Sequence, residues 1–167
     1  MEKVKIGGIM QSDGRAFLRI MSVPDQAGVT GTLLGAMGGA GINIELVVQS
    51  FDLDDMGNYA LVIAQKDLEH ALSLLEDLKL MIEAKGISYN PDVAVISVFG
   101  PHLREKPRVP GLMFSALGSV GIGSLAVATS ISSVSCVVEG LNLEPAVEAL
   151  LDVFEAPFQV KKRPKEY

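Results

Sequence analysis

Three polar residues in the first half of the chain could bind a small charged molecule. Asp25 follows a strand-like run, Asn43 stands between two isoleucines, and Gln49 ends an apolar stretch. The carboxylate of Asp25 could accept a hydrogen bond from an ammonium group, or it could cap a helix that begins near Gly28. Asn43 is either a turn residue or a ligand contact, and Gln49 faces either solvent or a ligand. The residues alone leave both uses open.

The stretch that contains Asn43 occurs a second time in the chain in similar form. Residues 39–49 read GAGINIELVVQ, and residues 120–127 read VGIGSLAV, with Gly123 where the asparagine stood. The second copy therefore keeps the small residues of the turn and loses its polar side chain.

The second copy also differs at the expected start of its first helix. Arg108 stands where the first copy has Gly28, and it adds a side chain where a glycine would let a ligand approach the main chain. A pocket built from this copy alone is not expected. The backbone at Gly123 and Ser124 could still contribute to a shared pocket, and Arg108 could instead bind a carboxylate.

No set of residues predicts catalysis or metal binding. His70 and His102 have no second histidine or carboxylate at metal-ligand spacing, and the glycine pairs lack the lysine of a phosphate loop. Cys136 lies in an apolar run, which predicts a buried strand thiol and excludes an internal disulfide. We expect no cofactor and no metal.

Composition places the chain among globular proteins. Of its 167 residues, 49% are hydrophobic and 20% are charged, and the net charge is -6. An acidic chain is a poor partner for nucleic acid, which needs a basic face. No apolar run approaches the roughly 18 residues of a membrane span, and no signal peptide is apparent. A cytoplasmic protein without a membrane or nucleic-acid partner is expected.

The two turns belong to an internal repeat that covers most of the chain. The strand-like run at 18–23 aligns with the run at 93–98, and the differences in spacing fall in loops, as expected of a true repeat. The alignment places Ser22 on Ser97, Gly41 on Gly121 and Asp67 on Asn142, at offsets of 75, 80 and 75 residues.

Each copy reads as strand, helix, strand, strand, helix. Apolar residues recur at helical spacing before Gly41 and Gly121, and each glycine predicts a left-handed helix stop. The second helix of each copy begins at Asp67 or Asn142, both good N-cap residues. With a last strand, this order predicts an α+β fold of two βαββαβ units, each an antiparallel sheet with both helices on one face.

The last strand of the second copy is the uncertain element. The first copy ends with a strand at 86–89, but the second has no obvious equivalent before its lysine-rich tail. Residues 158–160 could serve, or the N-terminal strand at 4–6 could complete the second sheet and nest the first copy inside the second.

Two groups of residues resemble the two ACT domains of the aspartate kinase regulatory region. The resemblance covers nearly the whole chain, and the order of the copies makes it specific. The first group is VPDQAGV at 23–29, GINI at 41–44 and VQ at 48–49; the second is MFSAL at 113–117, GI at 121–122, TS at 129–130 and VSCVV at 134–138.

The resemblance implies two tandem, intertwined ferredoxin-like ACT domains. The expected ranges are 11–91 for the first and 92–167 for the second, completed by an N-terminal strand at 3–9. No lysine-containing, glycine-rich nucleotide segment precedes the repeats. The chain is therefore expected to resemble a free-standing beta-type regulatory subunit and not an enzyme.

The resemblance also implies amino-acid sensing. An end-product amino acid such as lysine or threonine would bind at an interface between ACT domains, the chain would form a homodimer, and a partner could be an aspartate kinase catalytic chain. The ligand-binding residues implied are Asp25, Ala27, Gly28, Val29, Asn43, Ile44, Gln49, Gly123 and Ser124. Loss of the asparagine and of the glycine in the second copy favours an alternative, a ligand-silent module that only assembles.

Overall fold

A computed structural model describes residues 2–157 and 161–162 and divides the chain into two units. The inner unit comprises residues 15–92. The outer unit comprises the described residues of 1–14 and 93–167, and the two names refer to order along the chain. No helix in the described part of the chain is long and apolar enough to cross a bilayer.

Nine strands and four helices make up the described structure, with three single-turn 3-10 helices at 65–67, 103–105 and 140–142. In chain order they are β1 (Val4–Lys5), β2 (Gly8–Pro24), α1 (Val29–Gly39), β3 (Leu46–Phe51), β4 (Met56–Ala64), α2 (Leu68–Lys79), β5 (Gly86–Phe99), α3 (Arg108–Ser119), β6 (Ala126–Thr129), β7 (Ser133–Glu139), α4 (Leu143–Val153), β8 (Phe154–Glu155) and β9 (Lys161–Lys162).

The inner unit is a four-stranded sheet with α1 and α2 on one face. The sheet order is β3–β4–β2–β5, and β4 pairs antiparallel with both β2 and β3. Period-2 alternation in β2 sends every second side chain to the helix face. These inward residues meet the apolar faces of both helices in one core: Ala16, Leu18, Ile20, Leu33, Met37, Leu61, Ile63, Ala71 and Leu75.

The outer unit repeats this arrangement with α3 and α4. Its sheet order is β2–β5–β7–β6, and β7 pairs antiparallel with β5 and β6. Every residue from Val93 to Val98 is buried, which explains why this part of β5 reads as a continuous apolar run. Ile6 and Ile9 from the N-terminal segment lie in the same core as α3 and α4. The predicted α+β fold with antiparallel sheets is therefore confirmed.

The N-terminal segment contributes two strands to the outer unit. Residues 8–14 of β2 belong to the outer unit, and β1 pairs in parallel with β8. The division between the two units falls after Gly14, inside the long strand β2. The alternative strand at 158–160 falls outside the described residues. The assignment of ACT domains to 11–91 and 92–167, completed by 3–9, stays a prediction.

The predicted alignment of the two first strands is wrong by three residues. Leu18 pairs with Leu61, and Ile96 pairs with Cys136, so the structural offset is 78 residues (96 − 18) and not 75. The register of β2 shifts after Ile20 at a bulge where Ser22 has a φ of 53°. A bulge adds a residue to one strand only, and residue type does not reveal it.

The predicted helix stops are confirmed. Gly41 and Gly121 both have a φ of 74°, a left-handed conformation that favours glycine. Asp67 and Asn142 hold the N-cap positions of α2 and α4, but neither side chain makes a capping hydrogen bond. A 3-10 turn directly precedes each of these two helices, so the chain is already helical where the α-helix begins.

Cys136 is a buried thiol in β7, as predicted. Burial raises the pKa of its thiol from 9.0 to about 12, because the thiolate would lose its hydration. The residue therefore packs as a small hydrophobic side chain.

Candidate functional site

A cavity of about 160 Å³ opens in the inner unit where β2 ends and α1 begins. Its walls come from the segment that joins β2 to α1 and from β3 and β4. The lining residues are Val23 to Thr30, Gln49, Phe51, Gly57 and Tyr59. Pockets for drug-sized ligands have about 300–1,000 Å³, so this cavity suits a small polar molecule.

The main chain at Gly28 is open to the cavity. Gly28 has a φ of 92° and a ψ of -13° at the N-cap of α1, and no atom lies within 4 Å of the place a Cβ would take. Its carbonyl accepts the Thr32 N–H at 2.9 Å. The N–H groups of Thr30 and Gly31 have no acceptor within the helix, and the helix dipole adds positive potential there. This geometry favours a carboxylate.

Three side chains form a polar network beside this helix start. The hydroxyls of Thr30 and Tyr59 are 2.8 Å apart, and Gln49 donates from Nε2 to the Tyr59 hydroxyl at 3.2 Å. Tyr59 is only 4% exposed, and its strand pairs it directly with Gln49. The network therefore fixes the position of Gln49 and presents hydroxyl and amide groups to the cavity.

Sequence reasoning missed Thr30 and Tyr59. The repeat contained a signal that could have found them, because the matching residues of the outer unit are Pro110 and Val134, at offsets of 80 and 75 residues. Neither replacement offers a polar side chain. The polar network thus belongs to the inner unit alone.

Asp25 lines the cavity and does not cap α1. The N-cap residue is Gly28, and no side-chain capping bond is present. The capping role that the sequence left open for Asp25 is therefore wrong. The Asp25 side chain is exposed and remains available to a ligand.

The structure gathers only part of the predicted ligand set. Asn43 and Ile44 lie in the loop between α1 and β3, outside the lining of the cavity, and Asn43 is exposed. Gly123 and Ser124 lie in the matching loop of the outer unit, where both are exposed. The residues that line the cavity are Asp25, Ala27, Gly28, Val29 and Gln49.

The loop of Asn43 ends in a buried ion pair. Nε of Arg15 lies 2.7 Å from Oε2 of Glu45, and the two side chains are 9% and 10% exposed. The Glu45 carboxylate therefore faces an arginine of the same unit and is not a surface group.

A second cavity of about 340 Å³ lies in the outer unit. Side chains of both charges surround a partly apolar floor, and Arg108 is among them. The lining residues are Glu2, Lys3, Val4, Arg108, Leu112, Asp152 and Val153. Helix α3 begins at Arg108, and its N-cap residue is Pro107 with a φ of -64°. The left-handed turn that Gly28 makes before α1 therefore has no counterpart before α3.

Catalytic chemistry finds no support in the described part of the chain. Among residues 2–157 and 161–162, no group of three or more His, Cys, Asp or Glu side chains could hold a metal ion. His70 and His102 are both exposed, on separate elements. The inner cavity can bind and orient a small zwitterion, but it contains no nucleophile paired with a base.

Residues 96–154 match the ACT domain family. Among curated proteins, the chain is 31% identical to an aspartate kinase of Stutzerimonas stutzeri over 155 residues, and 32% identical to one of Pseudomonas putida. Each alignment covers 93% of this chain and 38% of the relative. The chain thus spans well under half the length of these curated relatives.

Solved structures include regulatory subunits that the chain matches along nearly their whole length. The regulatory subunit of aspartate kinase from Thermus thermophilus, in its ligand-free form, superposes with a TM-score of 0.81 at 26% identity. That alignment covers 90% of this chain and 99% of the subunit. The corresponding subunit from Thermus flavus gives 0.82 at 25% identity, covering 89% and 97%. The resemblance to the aspartate kinase regulatory region is confirmed, together with the ferredoxin-like ACT fold.

Proposed function

We propose that this chain, which carries an ACT domain and resembles the aspartate kinase regulatory region, binds a free amino acid in the cavity of its inner unit. The observation that carries the proposal is the grouping of a carboxylate, free helix N–H groups and a hydroxyl–amide network around about 160 Å³. A free amino acid needs an acceptor for its ammonium and donors for its carboxylate, and this cavity has both.

Each group of the ligand has a partner in the proposed complex. Asp25 accepts from the ammonium, and the N–H groups of Thr30 and Gly31 donate to the carboxylate. Gln49 and Tyr59 contact the ligand side chain from the floor of the cavity. Asn43, Ile44, Gly123 and Ser124 stay in the proposal as contacts that the family resemblance implies.

The proposed role is regulatory and not catalytic. Both units would be ACT domains, and the amino acid would be an end product such as lysine or threonine that binds where ACT domains pair. The ligand would bind one paired arrangement more tightly and so raise its population. Through linkage, this shift would regulate the partner protein. The partners proposed are a second copy of the chain and an aspartate kinase catalytic chain. The cytoplasmic location expected from the sequence stays a prediction.

A ligand-silent assembly module is the second candidate. The edge strand β3 supports it, because Val47 and Phe51 on that strand are 41% and 50% exposed. An open edge with apolar side chains favours pairing with another chain. The second copy also has Arg108 in place of the glycine and Gly123 in place of the asparagine. Both changes fit a protein that pairs without ligand.

Calorimetric titration with the twenty amino acids separates the two candidates. We expect one or a few amino acids to bind, and Gln49→Ala and Asn43→Ala each to weaken that binding by about tenfold without unfolding the protein. Thr129→Ala is the matched control, since Thr129 takes the place of Gln49 on the edge strand of the outer unit. Silence with all twenty amino acids would leave the assembly module as the function.

A further inference from the structure

The ion pair between Arg15 and Glu45 is buried in a place where charges are costly. The two side chains are 9% and 10% exposed, and Nε and Oε2 lie 2.7 Å apart but outside hydrogen-bond geometry. Desolvation of two ions offsets much of their attraction, so a buried pair of this kind is weak evidence for stability. Its presence calls for another explanation.

The pair connects the first strand of the inner unit to the loop that presents Asn43. Arg15 is the first residue of this unit and lies opposite Ala64 on β4. Glu45 donates its N–H to the carbonyl of Val62 at 2.8 Å, immediately before β3 begins. At its other end the loop is held by Ile42, whose N–H reaches the Met37 carbonyl at 3.0 Å. Asn43 therefore lies between two anchored residues.

The outer unit builds the same loop without charges. Val93 lies opposite Glu139 and takes the place of Arg15, while Leu125 donates to the carbonyl of Val137 at 2.8 Å and takes the place of Glu45. The helix-side anchor is repeated as well, since the Ile122 N–H reaches Leu117 at 3.0 Å. The outer unit thus folds this loop without a charged pair.

We infer that Arg15 and Glu45 are positioning residues that hold the loop 41–45 in one conformation, so that Asn43 meets a ligand in a fixed place. The part that concerns ligand rests on the proposed function. A buried ion pair has one low-energy geometry, because any shift leaves a charge without its partner. Apolar side chains lose no charge partner when they shift. The charged pair therefore occurs in the copy that carries the asparagine, and two apolar residues take its place in the copy that carries Gly123.

Exchanging the pair for the residues of the outer unit tests the inference. The double variant Arg15→Val/Glu45→Leu removes both charges, so we expect its urea midpoint to equal or exceed that of the unmodified chain. Each single variant leaves one buried charge and should be clearly less stable. Arg15→Lys keeps the charge and should behave more nearly as the unmodified chain.

Native-state hydrogen exchange then reports on the loop itself. We expect the amides of Ile42 and Glu45 to exchange about tenfold faster in the double variant, at unchanged global stability. The amides of Ile122 and Leu125 make the same bonds in the outer unit and should not change. Equal exchange at Ile42 and Glu45 in the double variant and the unmodified chain would overturn the inference, because the pair would then be only a structural contact.

Titration of the double variant with L-lysine and L-threonine, and with any other amino acid that binds the unmodified chain, adds the functional readout. A loosened loop should weaken binding by about tenfold, mainly through faster dissociation. Unchanged affinity with a loosened loop would overturn the link to Asn43. If no amino acid binds the unmodified chain, the proposed function fails, and hydrogen exchange still decides whether the pair fixes the loop.

Discussion

Tyr59 shows how a single residue gives the cavity its chemistry. Its ring is buried in the inner core, and its hydroxyl meets Thr30 and Gln49 at the cavity wall. A buried hydroxyl needs a partner, so the three side chains hold one another in place. The outer unit has Val134 at this position, and its core is apolar up to the same point. The valine therefore removes the buried hydroxyl on which the polar network depends.

Cys136 permits a residue-scale test of burial by pH. Its thiol pKa rises from 9.0 to about 12 on folding, so above pH 9 the unfolded chain releases a proton that the folded chain keeps. Stability should therefore fall as pH rises from 9 toward 12, by up to about 1.4 kcal/mol per pH unit from this residue. Below pH 9 the thiol contributes no pH dependence.

Urea unfolding of the unmodified chain and of Cys136→Ala, at several pH values between 8 and 11, isolates this contribution. Above pH 9, the free energy of unfolding should fall more steeply with pH in the unmodified chain than in Cys136→Ala. The loss of the sulfur atom itself changes stability by an amount that does not depend on pH. In addition, an aromatic disulfide reagent at pH 8 should label the native thiol only as fast as the protein opens. Parallel slopes, or rapid native labelling, would contradict the burial of this thiol.

At the scale of elements, helix α1 combines a weak interior with a firm stop. Gly31, Gly35, Gly38 and Gly39 lie in the helix, and none has an atom within 4 Å of the place a Cβ would take. These glycines are therefore not close-packing positions. They weaken the helix, whereas Gly41 ends it in a left-handed conformation that other residues adopt at a cost.

The same substitution should consequently act in opposite directions at two glycines of this segment. Gly35→Ala should raise the free energy of unfolding by about 0.5–1 kcal/mol, because alanine loses less entropy in a helix. Gly41→Ala should lower it by about 1 kcal/mol or more, because its φ of 74° strains an alanine. Denaturant unfolding followed by circular dichroism measures both. Equal effects at the two positions would contradict the assigned helix end.

At the scale of the whole molecule, the chain has two cores and two strands that serve both units. The strands β2 and β5 each begin in one unit and end in the other. The inner unit is one continuous segment, whereas the outer unit needs residues from both ends of the chain. Its core contains Ile6 and Ile9 together with residues more than eighty positions away.

Ile9 tests this discontinuous architecture. Its side chain is fully buried in the outer core, so Ile9→Ala should lower the free energy of unfolding by about 2–5 kcal/mol. Ile131→Ala is the matched control, because Ile131 belongs to the same unit and is 66% exposed. Urea unfolding followed by circular dichroism compares the two. A mild effect at Ile9, similar to that at Ile131, would mean that the N-terminal segment is not part of this core.

The sequence by itself determined what depends on neighbouring residues. Helical periodicity, the stops at Gly41 and Gly121 and the order of the elements were readable because each rests on local backbone preferences. The repeat then predicted the fold class. It also located Asp25, Gly28 and Gln49, which do line the cavity.

Only the tertiary structure decided what depends on pairing between distant segments. The alignment of the two first strands has an offset of 78 and not 75, because register is set by the partner strand and not by residue type. Long-range packing likewise joined Tyr59 to Thr30 and placed Glu45 in a buried ion pair with Arg15. Those contacts cross tens of residues, and no local pattern encodes them.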